Sequence, residues 1–206
     1  MQRLTLASQR NILIGAVAPL VALLCIVTAI AISPWFSWLD NALSDLGNYN
    51  NGMPAAVIFN AGLITTGAML FVFLMRLMGR VHDTLTGVGL AIFLISVAFL
   101  TLIGVFPENA GNIHFWVSVG FFFTFPFAMW AVGLSWLRFA HLRWFAVISI
   151  LLPFVSLYLW TVTFGGTVSW TGVAIQEILT ALTAIAWIWL FQLLLVREKL
   201  EGIVSA

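Results

Sequence analysis

Residues 85–106 read LTGVGLAIFLISVAFLTLIGVF, twenty-two residues without a charged side chain. A helix needs about 20 consecutive, mostly apolar residues to cross the hydrocarbon core of a bilayer. The rest of the chain has the same character, because 63% of its 206 residues are hydrophobic and only 7% are charged. Soluble domains carry roughly 25% charged residues. The sequence therefore excludes a soluble globular domain and predicts an integral membrane protein.

Five further stretches are similarly long and apolar, and none of them contains Lys or Arg. The alternating ten-residue pattern of a transmembrane β-barrel is missing, so each stretch is predicted as a helix. The predicted class is all-α: a polytopic membrane protein whose single domain, residues 1–206, is a bundle of six transmembrane helices. The predicted spans are residues 12–32, 53–75, 85–106, 113–137, 144–164 and 171–196.

The basic residues predict how these spans are oriented. All eight Lys and Arg residues fall before span 1, between spans 2 and 3, between spans 4 and 5, or after span 6. Cytoplasmic connections carry an excess of Lys and Arg. We therefore expect a multi-pass protein of the cell membrane with three outward-pointing hairpins and cytoplasmic N and C termini. Residues 33–52 are the long outer connection, and Trp35 and Trp38 predict that it lies in the membrane interface.

Charge also restricts the classes of function. The net charge of +1 excludes a nucleic-acid partner, which would need a basic face. Charged residues avoid the middle of every span, which disfavours an ion-coupled pump. The aromatic run FFFTFPF at residues 121–127 is predicted to be a lipid-facing or packing surface.

Polar residues concentrate on the outer side, where three of them are candidate catalytic residues: Asp45, His114 and Glu177. Glu177 is the sharpest signal. A span that begins at residue 171 would place this carboxylate about 9 Å inside the membrane at 1.5 Å per residue, where an unpaired charge is costly. Candidate ligand-binding residues around them are Ser44, Asn60, Glu108, Ser118 and Gln176, and Thr180 lies one turn beyond Gln176 and Glu177.

Each candidate catalytic residue also has a structural alternative. Glu177 could hydrogen-bond another helix, His114 could cap span 4, and Asp45 could cap a short helix that begins near Leu46. A third alternative is a metal site, since His114 with Asp45 and Glu177 could hold Zn²⁺ with a position open for water. Catalytic zinc commonly uses two or three histidines, and the sequence identifies no cofactor.

Three sequence elements resemble the domain-of-unknown-function family 998, which comprises six-span prokaryotic membrane proteins without an assigned activity. These elements are LSDLG at residues 43–47, GVFP at residues 104–107 followed by His114, and the segment from Gly172 to Glu177. The resemblance covers nearly the whole chain and implies a six-span fold without implying a reaction. It marks the following residues as motif positions: Ser44, Asp45, Pro107, His114 and Glu177.

These observations lead to three functional hypotheses. The favoured one is an extracytoplasmic polar pocket that binds or modifies a lipid or lipid-soluble small molecule. A carboxylate and a histidine there could perform the acid–base chemistry of a membrane-embedded hydrolase or lipid-modifying enzyme. The second is a transporter or flippase of a small amphiphile, and the third is a non-catalytic accessory protein. Membrane lipid is the expected partner in each, and the sequence leaves the oligomeric state open.

Overall fold

The computed structural model describes residues 6–197, 199–200 and 203–204. Apart from an isolated bridge between Val81 and Val204, these residues form helices, turns and loops. Six helices are long and apolar enough to cross a bilayer, which confirms the predicted number of spans. They are α1 (Leu6–Ala31), α2 (Met53–Met78), α3 (Thr84–Val105), α4 (Asn112–Trp136), α5 (Arg143–Phe164) and α6 (Ala174–Val196), with the 3₁₀ helices η1 (Leu43–Gly47), η2 (Glu108–Ala110) and η3 (Ala140–Leu142) between them.

Local chemistry sets several helix ends. Asp83 precedes α3, and its side chain accepts a hydrogen bond from the Thr86 backbone N–H at 2.8 Å, as an N-cap residue does. At its opposite end α3 finishes at Val105, because Pro107 disfavours helical backbone at Phe106, the residue that precedes it. Pro54 stands in the first turn of α2, where its missing N–H leaves no helical hydrogen bond unmade.

The helices pack in chain order, and α1 also packs against α6, so the six form a closed ring. Aromatic side chains from three helices meet inside it. The Phe93 ring of α3 lies 5.3 Å from that of Phe125 in α4 and 5.5 Å from that of Trp187 in α6, both in edge-to-face contact. Such pairs add to the stabilisation from apolar burial. This centre therefore ties α3, α4 and α6 together.

The two ends of the ring differ in charge. The "anionic end" holds the α1–α2, α3–α4 and α5–α6 connections, which meet because η1 contacts both η2 and α6. The opposite "basic end" holds the α2–α3 and α4–α5 connections and the C-terminal turn, where the His82 N–H donates to the Ile203 carbonyl at 2.9 Å. The acidic residues of the anionic end are Asp40, Asp45, Glu108 and Glu177, and the basic end carries Arg76, Arg80, Arg138, Arg143 and Arg197.

The start of α6 differs from the prediction. The helix begins at Ala174 rather than at residue 171, so Glu177 lies in its first turn and not about 9 Å below its start. The preceding backbone N–H groups of Gly172 and Val173 donate to the carbonyls of Leu39 and Asn41 instead of joining a helix. A tertiary hydrogen bond to a distant loop thus replaces the first turn that composition alone predicted.

Candidate functional site

Glu177 receives the N-terminus of η1. Its Oε2 accepts a hydrogen bond from the Leu43 backbone N–H at 2.6 Å, and the Ser44 backbone N–H also interacts with the carboxylate. The first N–H groups of a helix have no partner within it, and a negative charge there is favourable. The short helix begins at Leu43, earlier than the position near Leu46 that the sequence suggested. Glu177 therefore attaches the α1–α2 connection to α6.

Asp45 organises the same connection from inside. Its Oδ2 accepts hydrogen bonds from the Asn41 side-chain amide at 3.0 Å and from the Ala42 backbone N–H at 2.9 Å. Its backbone carbonyl accepts from the side-chain amide of Asn51 at 3.1 Å. The charges of Asp45 and Glu177 interact electrostatically, so these two predicted residues are neighbours.

The α5–α6 connection is bound to the α1–α2 connection by backbone hydrogen bonds. Gly172 N–H donates to Leu39 O at 2.8 Å, and the N–H groups of Val173 and Ala174 donate to Asn41 O at 3.1 and 2.9 Å. A Cβ atom at Gly172 would lie 2.3 Å from Asn41 O and 2.5 Å from Asn41 N. Backbone atoms cannot move aside cheaply, so this contact requires glycine.

His114 joins α4 to the end of α3. Its Nδ1 lies 2.8 Å from the carbonyl oxygen of Phe106, and its Nε2 lies 3.3 Å from the Ser118 hydroxyl. A carbonyl can only accept, so Nδ1 carries a hydrogen and donates it to Phe106, while Nε2 pairs with the Ser118 hydroxyl. The ring is only 7% exposed. Ser118 lies one turn along α4 from His114, and His114 holds the α3–α4 connection.

The other polar residues at this end also bond to the α1–α2 connection or to nearby backbone. Glu108 accepts from the Asn48 side-chain amide, Asn109 Oδ1 accepts from Tyr49 N–H at 3.2 Å, and Asn60 donates to the carbonyl of Gly47 at 2.9 Å. We call residues 39–51, with their partners Glu108, Asn60, Gly172 and Glu177, the "clasp".

Gln176 is fully buried beside the clasp. Its amide bonds Thr163, and the orientation with its oxygen toward Trp170 Nε1, at 2.7 Å, also lets its nitrogen donate to Val173 O at 3.0 Å. The predicted ligand-binding residue thus fastens the α5–α6 connection to α6.

The predicted catalytic residues divide into two sets. Asp45 and Glu177 meet at η1, whereas His114 bonds Phe106 and Ser118. Among the described residues, no group of three or more His, Cys, Asp and Glu side chains is placed to hold a metal ion. The hydrogen bonds of these residues join connecting segments and helix ends, which is chemistry suited to holding backbone in place.

A second feature lies between α4, α5 and α6. It is a narrow crevice that encloses about 10 Å³, and Pro126 of α4 and Pro153 of α5 stand on two of its walls. Proline has no N–H, so Phe122 O, four residues before Pro126, cannot receive its usual helical hydrogen bond. The lining is mainly apolar, with three hydroxyls: Phe121, Phe122, Phe125, Pro126, Met129, Pro153, Ser156, Thr180, Thr183 and Ala184.

The hydroxyls of the crevice form a short chain. The Trp160 indole N–H donates to Thr180 Oγ1 at 3.2 Å, and Thr183 donates to the Thr180 carbonyl at 2.7 Å. Ser156 Oγ lies 3.3 Å from Thr183 Oγ1, and because Thr183 has already donated its proton, Ser156 is the donor. The polar groups therefore link α5 to α6 across the crevice.

Sequence reasoning did not identify this crevice. It predicted residues 121–127 as lipid-facing or packing surface, and Phe123 and Phe127 are indeed exposed while Phe121 and Phe125 are buried. The available signal was a proline within each of two neighbouring predicted spans together with hydroxyl residues in span 6. That signal does not specify which faces of the three helices meet or how closely those helices pack.

Comparison with known proteins places the chain in a family. The family model described as "Protein of unknown function (DUF998)" matches residues 16–194. The chain belongs to the DUF998 family. The matched region of this DUF998 protein includes the clasp and the crevice and reaches into all six helices, as the resemblance in the sequence implied. No curated protein and no solved structure matches the chain.

Proposed function

We propose that this chain is a six-span protein of the cell membrane that binds a lipid or lipid-soluble small molecule in the crevice between α4, α5 and α6. The crevice carries the proposal, since it is an apolar recess inside helices that are suited to cross a bilayer. At 1.5 Å per residue, its lining lies roughly 10–25 Å from the anionic ends of its helices. That depth lies within a hydrocarbon core of about 30 Å.

The shape and surroundings of the crevice support a lipid-soluble ligand. The crevice encloses about 10 Å³, roughly the space of one water molecule, so a bound lipid chain would lie mainly along its open side. α5 has the smallest buried share of the six helices. Phe123 and Phe127 on α4 and Phe154 and Leu157 on α5 are exposed next to the lining residues. A ligand dissolved in the bilayer would therefore reach the crevice from the side.

The orientation that we propose for the protein in the membrane is based on the distribution of its charged residues. We place the basic end, and with it both termini, in the cytoplasm, because Lys and Arg are retained there. The clasp and the three connections of the anionic end then face outward. A single cysteine at exposed Asn50 should react with an impermeant maleimide in intact cells when Cys25 is replaced by Ala. A cysteine at exposed His82 should not react, and the reverse pattern would invert the proposed topology.

For Asp45, His114 and Glu177 we propose a structural role in place of catalysis. The support is their pattern of contacts: each binds backbone N–H or carbonyl groups of a connection at 2.6–2.9 Å. Such groups are costly to leave unsatisfied near lipid. The clasp would then hold the outward connections while α4, α5 and α6 bind the ligand.

The proposed function is tested by filling the crevice. Ala184 lines it and is buried, whereas Ala186 lies on an exposed face of the same helix. We expect mass spectrometry of the purified protein to find a retained lipid-soluble molecule in the wild type and in Ala186→Phe, and to find it depleted in Ala184→Phe. Ser156→Leu is a second filling variant should Ala184→Phe not fold. Equal retention in the folded filling variants and in Ala186→Phe would overturn the proposed function.

A further inference from the structure

We propose that the basic end of the bundle binds the head group of an anionic phospholipid at the corner where α1, α2 and α6 meet. This corner is a second site, separate from the crevice that α4, α5 and α6 form. Three features support it: guanidinium groups without a partner, an excess of positive charge at this end, and exposed apolar side chains that continue from the guanidinium groups along the helices.

Close contacts hold the three helices together just inside the basic end. The Asn11 side-chain amide of α1 donates to the Phe73 carbonyl of α2 at 3.1 Å. Gly15, one turn further along α1, lies against the side chains of Phe73 and of Gln192 in α6, and these leave no room there for a Cβ atom. The corner is therefore built from backbone and side chains of all three helices.

Each of the three helices carries an arginine at this corner. Arg10 lies one residue, Arg76 three residues and Arg197 five residues beyond the contacts just described, each toward the basic end. At 1.5 Å per residue, all three are within about 8 Å of those contacts along the helix axes. All three side chains are exposed, and none has a hydrogen-bond or ionic partner among the residues that the structure describes. Each guanidinium has five N–H donors in a plane that suits a phosphate group.

The basic end contains too few carboxylates to neutralise its cations. In the sequence, all eight Lys and Arg residues fall on this side of the spans, against Asp83, Glu198 and Glu201, which leaves an excess of five positive charges. Asp83 is already paired with Arg138, and Glu198 and Glu201 lie outside the described residues. Basic residues next to a membrane attract anionic lipids. The charge therefore favours an anionic head group at this end, whereas the carboxylates of the anionic end would repel one.

Exposed apolar side chains continue from the arginines into the membrane. Leu13 of α1, Met75 of α2 and Leu193 of α6 are exposed beside the corner. Trp189 of α6 is exposed at the seam with α1, where its indole N–H donates to the Ala16 carbonyl at 3.0 Å. A phospholipid presents a charged head group with acyl chains attached, so it can contact both the arginines and this apolar surface. A soluble anion would contact the arginines alone, and for this reason the proposed ligand is a lipid.

The test compares two lipids that have the same acyl chains and differ in head-group charge. We would titrate the purified protein in detergent with dioleoyl phosphatidylglycerol and with dioleoyl phosphatidylcholine, and measure lipid binding by native mass spectrometry. We expect the wild type to bind phosphatidylglycerol about thirtyfold more tightly, since each arginine near a lipid surface contributes about fivefold and two can share one phosphate. Displacement of phosphatidylglycerol by millimolar inorganic phosphate would indicate a site for a free anion and would overturn the lipid site.

Variants of equal charge then locate the site. Arg10→Gln/Arg197→Gln should lose most of the preference for phosphatidylglycerol, and Arg10→Lys/Arg197→Lys should keep it because the charges are retained. Arg138→Gln/Arg143→Gln is the matched control, since it removes the same two charges from the α4–α5 connection at the same end of the bundle, and it should keep the preference. Thermal unfolding would establish that each variant is folded. Should the control not fold, Arg143→Gln and Arg197→Gln are compared as single substitutions.

Two outcomes would overturn this site. Equal binding of the two lipids by the wild type would show that the basic end does not select an anionic head group. An equal loss of preference in the Arg10/Arg197 and Arg138/Arg143 double variants would show that the total charge of the end, and not this corner, attracts the lipid. Neither outcome bears on the proposed function, because Ala184→Phe tests the crevice through its retained molecule and should leave the preference for phosphatidylglycerol unchanged.

Discussion

The anionic and basic ends of the bundle satisfy their carboxylates in opposite ways. The connections of the anionic end contain no Lys or Arg, and Glu177 and Asp45 there bind the backbone N–H groups of Leu43 and Ala42. At the basic end, Asp83 forms an ion pair with Arg138. The first arrangement fixes the path of a connecting chain, while the second joins two helices through side chains. A carboxylate in a membrane protein therefore need not indicate a cation or a reaction.

Asp83 also binds groups other than its ionic partner. Thr86 donates its hydroxyl to Asp83 Oδ2 at 2.6 Å, and Ser135 donates to the same oxygen at 3.0 Å. The Trp136 indole N–H donates in turn to Thr86 Oγ1 at 2.9 Å. The Arg138 side chain is 45% exposed, and exposed ion pairs contribute only about 0–1 kcal/mol. The neutral donors should therefore carry most of the stabilisation here.

The largest loss of stability is expected from a substitution at Gly172, where the backbone contacts that of Asn41 in the clasp. Gly172→Val would force a Cβ to within 2.3 Å of Asn41 O, so we expect a loss of about 3 kcal/mol or more in unfolding free energy. Thermal unfolding in detergent would measure it. Gly87→Ala is the control, because its Cβ would meet nothing within 4 Å and alanine is favoured in a helix. If both variants were equally stable, the clasp would not be a close backbone contact.

The next largest loss of stability is expected from substitutions of Glu177, the carboxylate that binds the N-terminus of η1. Glu177→Leu leaves the Leu43 N–H without its acceptor, and we expect a loss of about 2 kcal/mol, the usual size for a charged hydrogen bond. Glu177→Gln keeps one acceptor oxygen and should lose less. Asp40→Asn is the control, because Asp40 is exposed, and asparagine keeps an acceptor oxygen for its near neighbour Ser37 and for the longer contact of 3.4 Å with Thr171. A Glu177→Leu variant of full stability that had lost its retained ligand would contradict the structural role.

The sequence predicted the fold more completely than the site, for a physical reason. The number of spans follows from apolar length, and the predicted third span, residues 85–106, lies within one residue of α3 at each end, because apolar length is a local property. The bond between Glu177 and Leu43 joins residues 134 positions apart, and composition contains no information about such a pair. For the same reason, the start of α6 was predicted too early. The polar residues were identified from sequence, but their partners were not.

At the basic end, we expect the loss of Asp83 to lower the unfolding free energy more than the loss of its ionic partner Arg138. Asp83→Ala removes the helix cap and the acceptor for Ser135, so a loss of about 1.5 kcal/mol is expected. Arg138→Gln should cost less than about 1 kcal/mol, because its side chain is largely exposed. Chemical or thermal unfolding of the two variants would show which loses more stability. A larger loss in Arg138→Gln would make the ion pair the main interaction and would sharpen the contrast with the clasp, where backbone N–H groups bind the carboxylates.

The same carboxylate predicts a dependence on pH. Partial burial opposes its ionisation, but hydrogen bonds from Thr86, Ser135 and Arg138 outweigh that effect and lower the pKa of Asp83 below its ordinary value of 3.8. A lowered pKa means that the stabilisation is complete above pH 3.8 and is lost as the pH falls below it. The stability difference between the wild type and Asp83→Ala should therefore shrink in that acidic range. A constant difference would contradict the lowered pKa.

Two buried glutamines of α6 are expected to change the unfolding free energy in opposite directions. Gln176, near the anionic end, is fully buried and bonded to Thr163, whereas Gln192, one turn before the basic end, is 3% exposed and has no partner for either amide atom among the described residues. Gln192 Nε2 lies 2.1 Å from where a Cβ of residue 15 would be, so only Gly15 admits it.

Leucine is similar in size to glutamine, but its side chain has no polar group that needs a hydrogen bond. Gln176→Leu should therefore lose about 1–2 kcal/mol of unfolding free energy, because it strips partners from buried groups. Gln192→Leu should gain up to about 1 kcal/mol, because it removes two buried groups that are unsatisfied. Both variants would be compared in one detergent by thermal unfolding. A loss in Gln192→Leu would mean that its amide binds a polar group, and the basic end would then contain a buried polar contact as specific as those of the clasp.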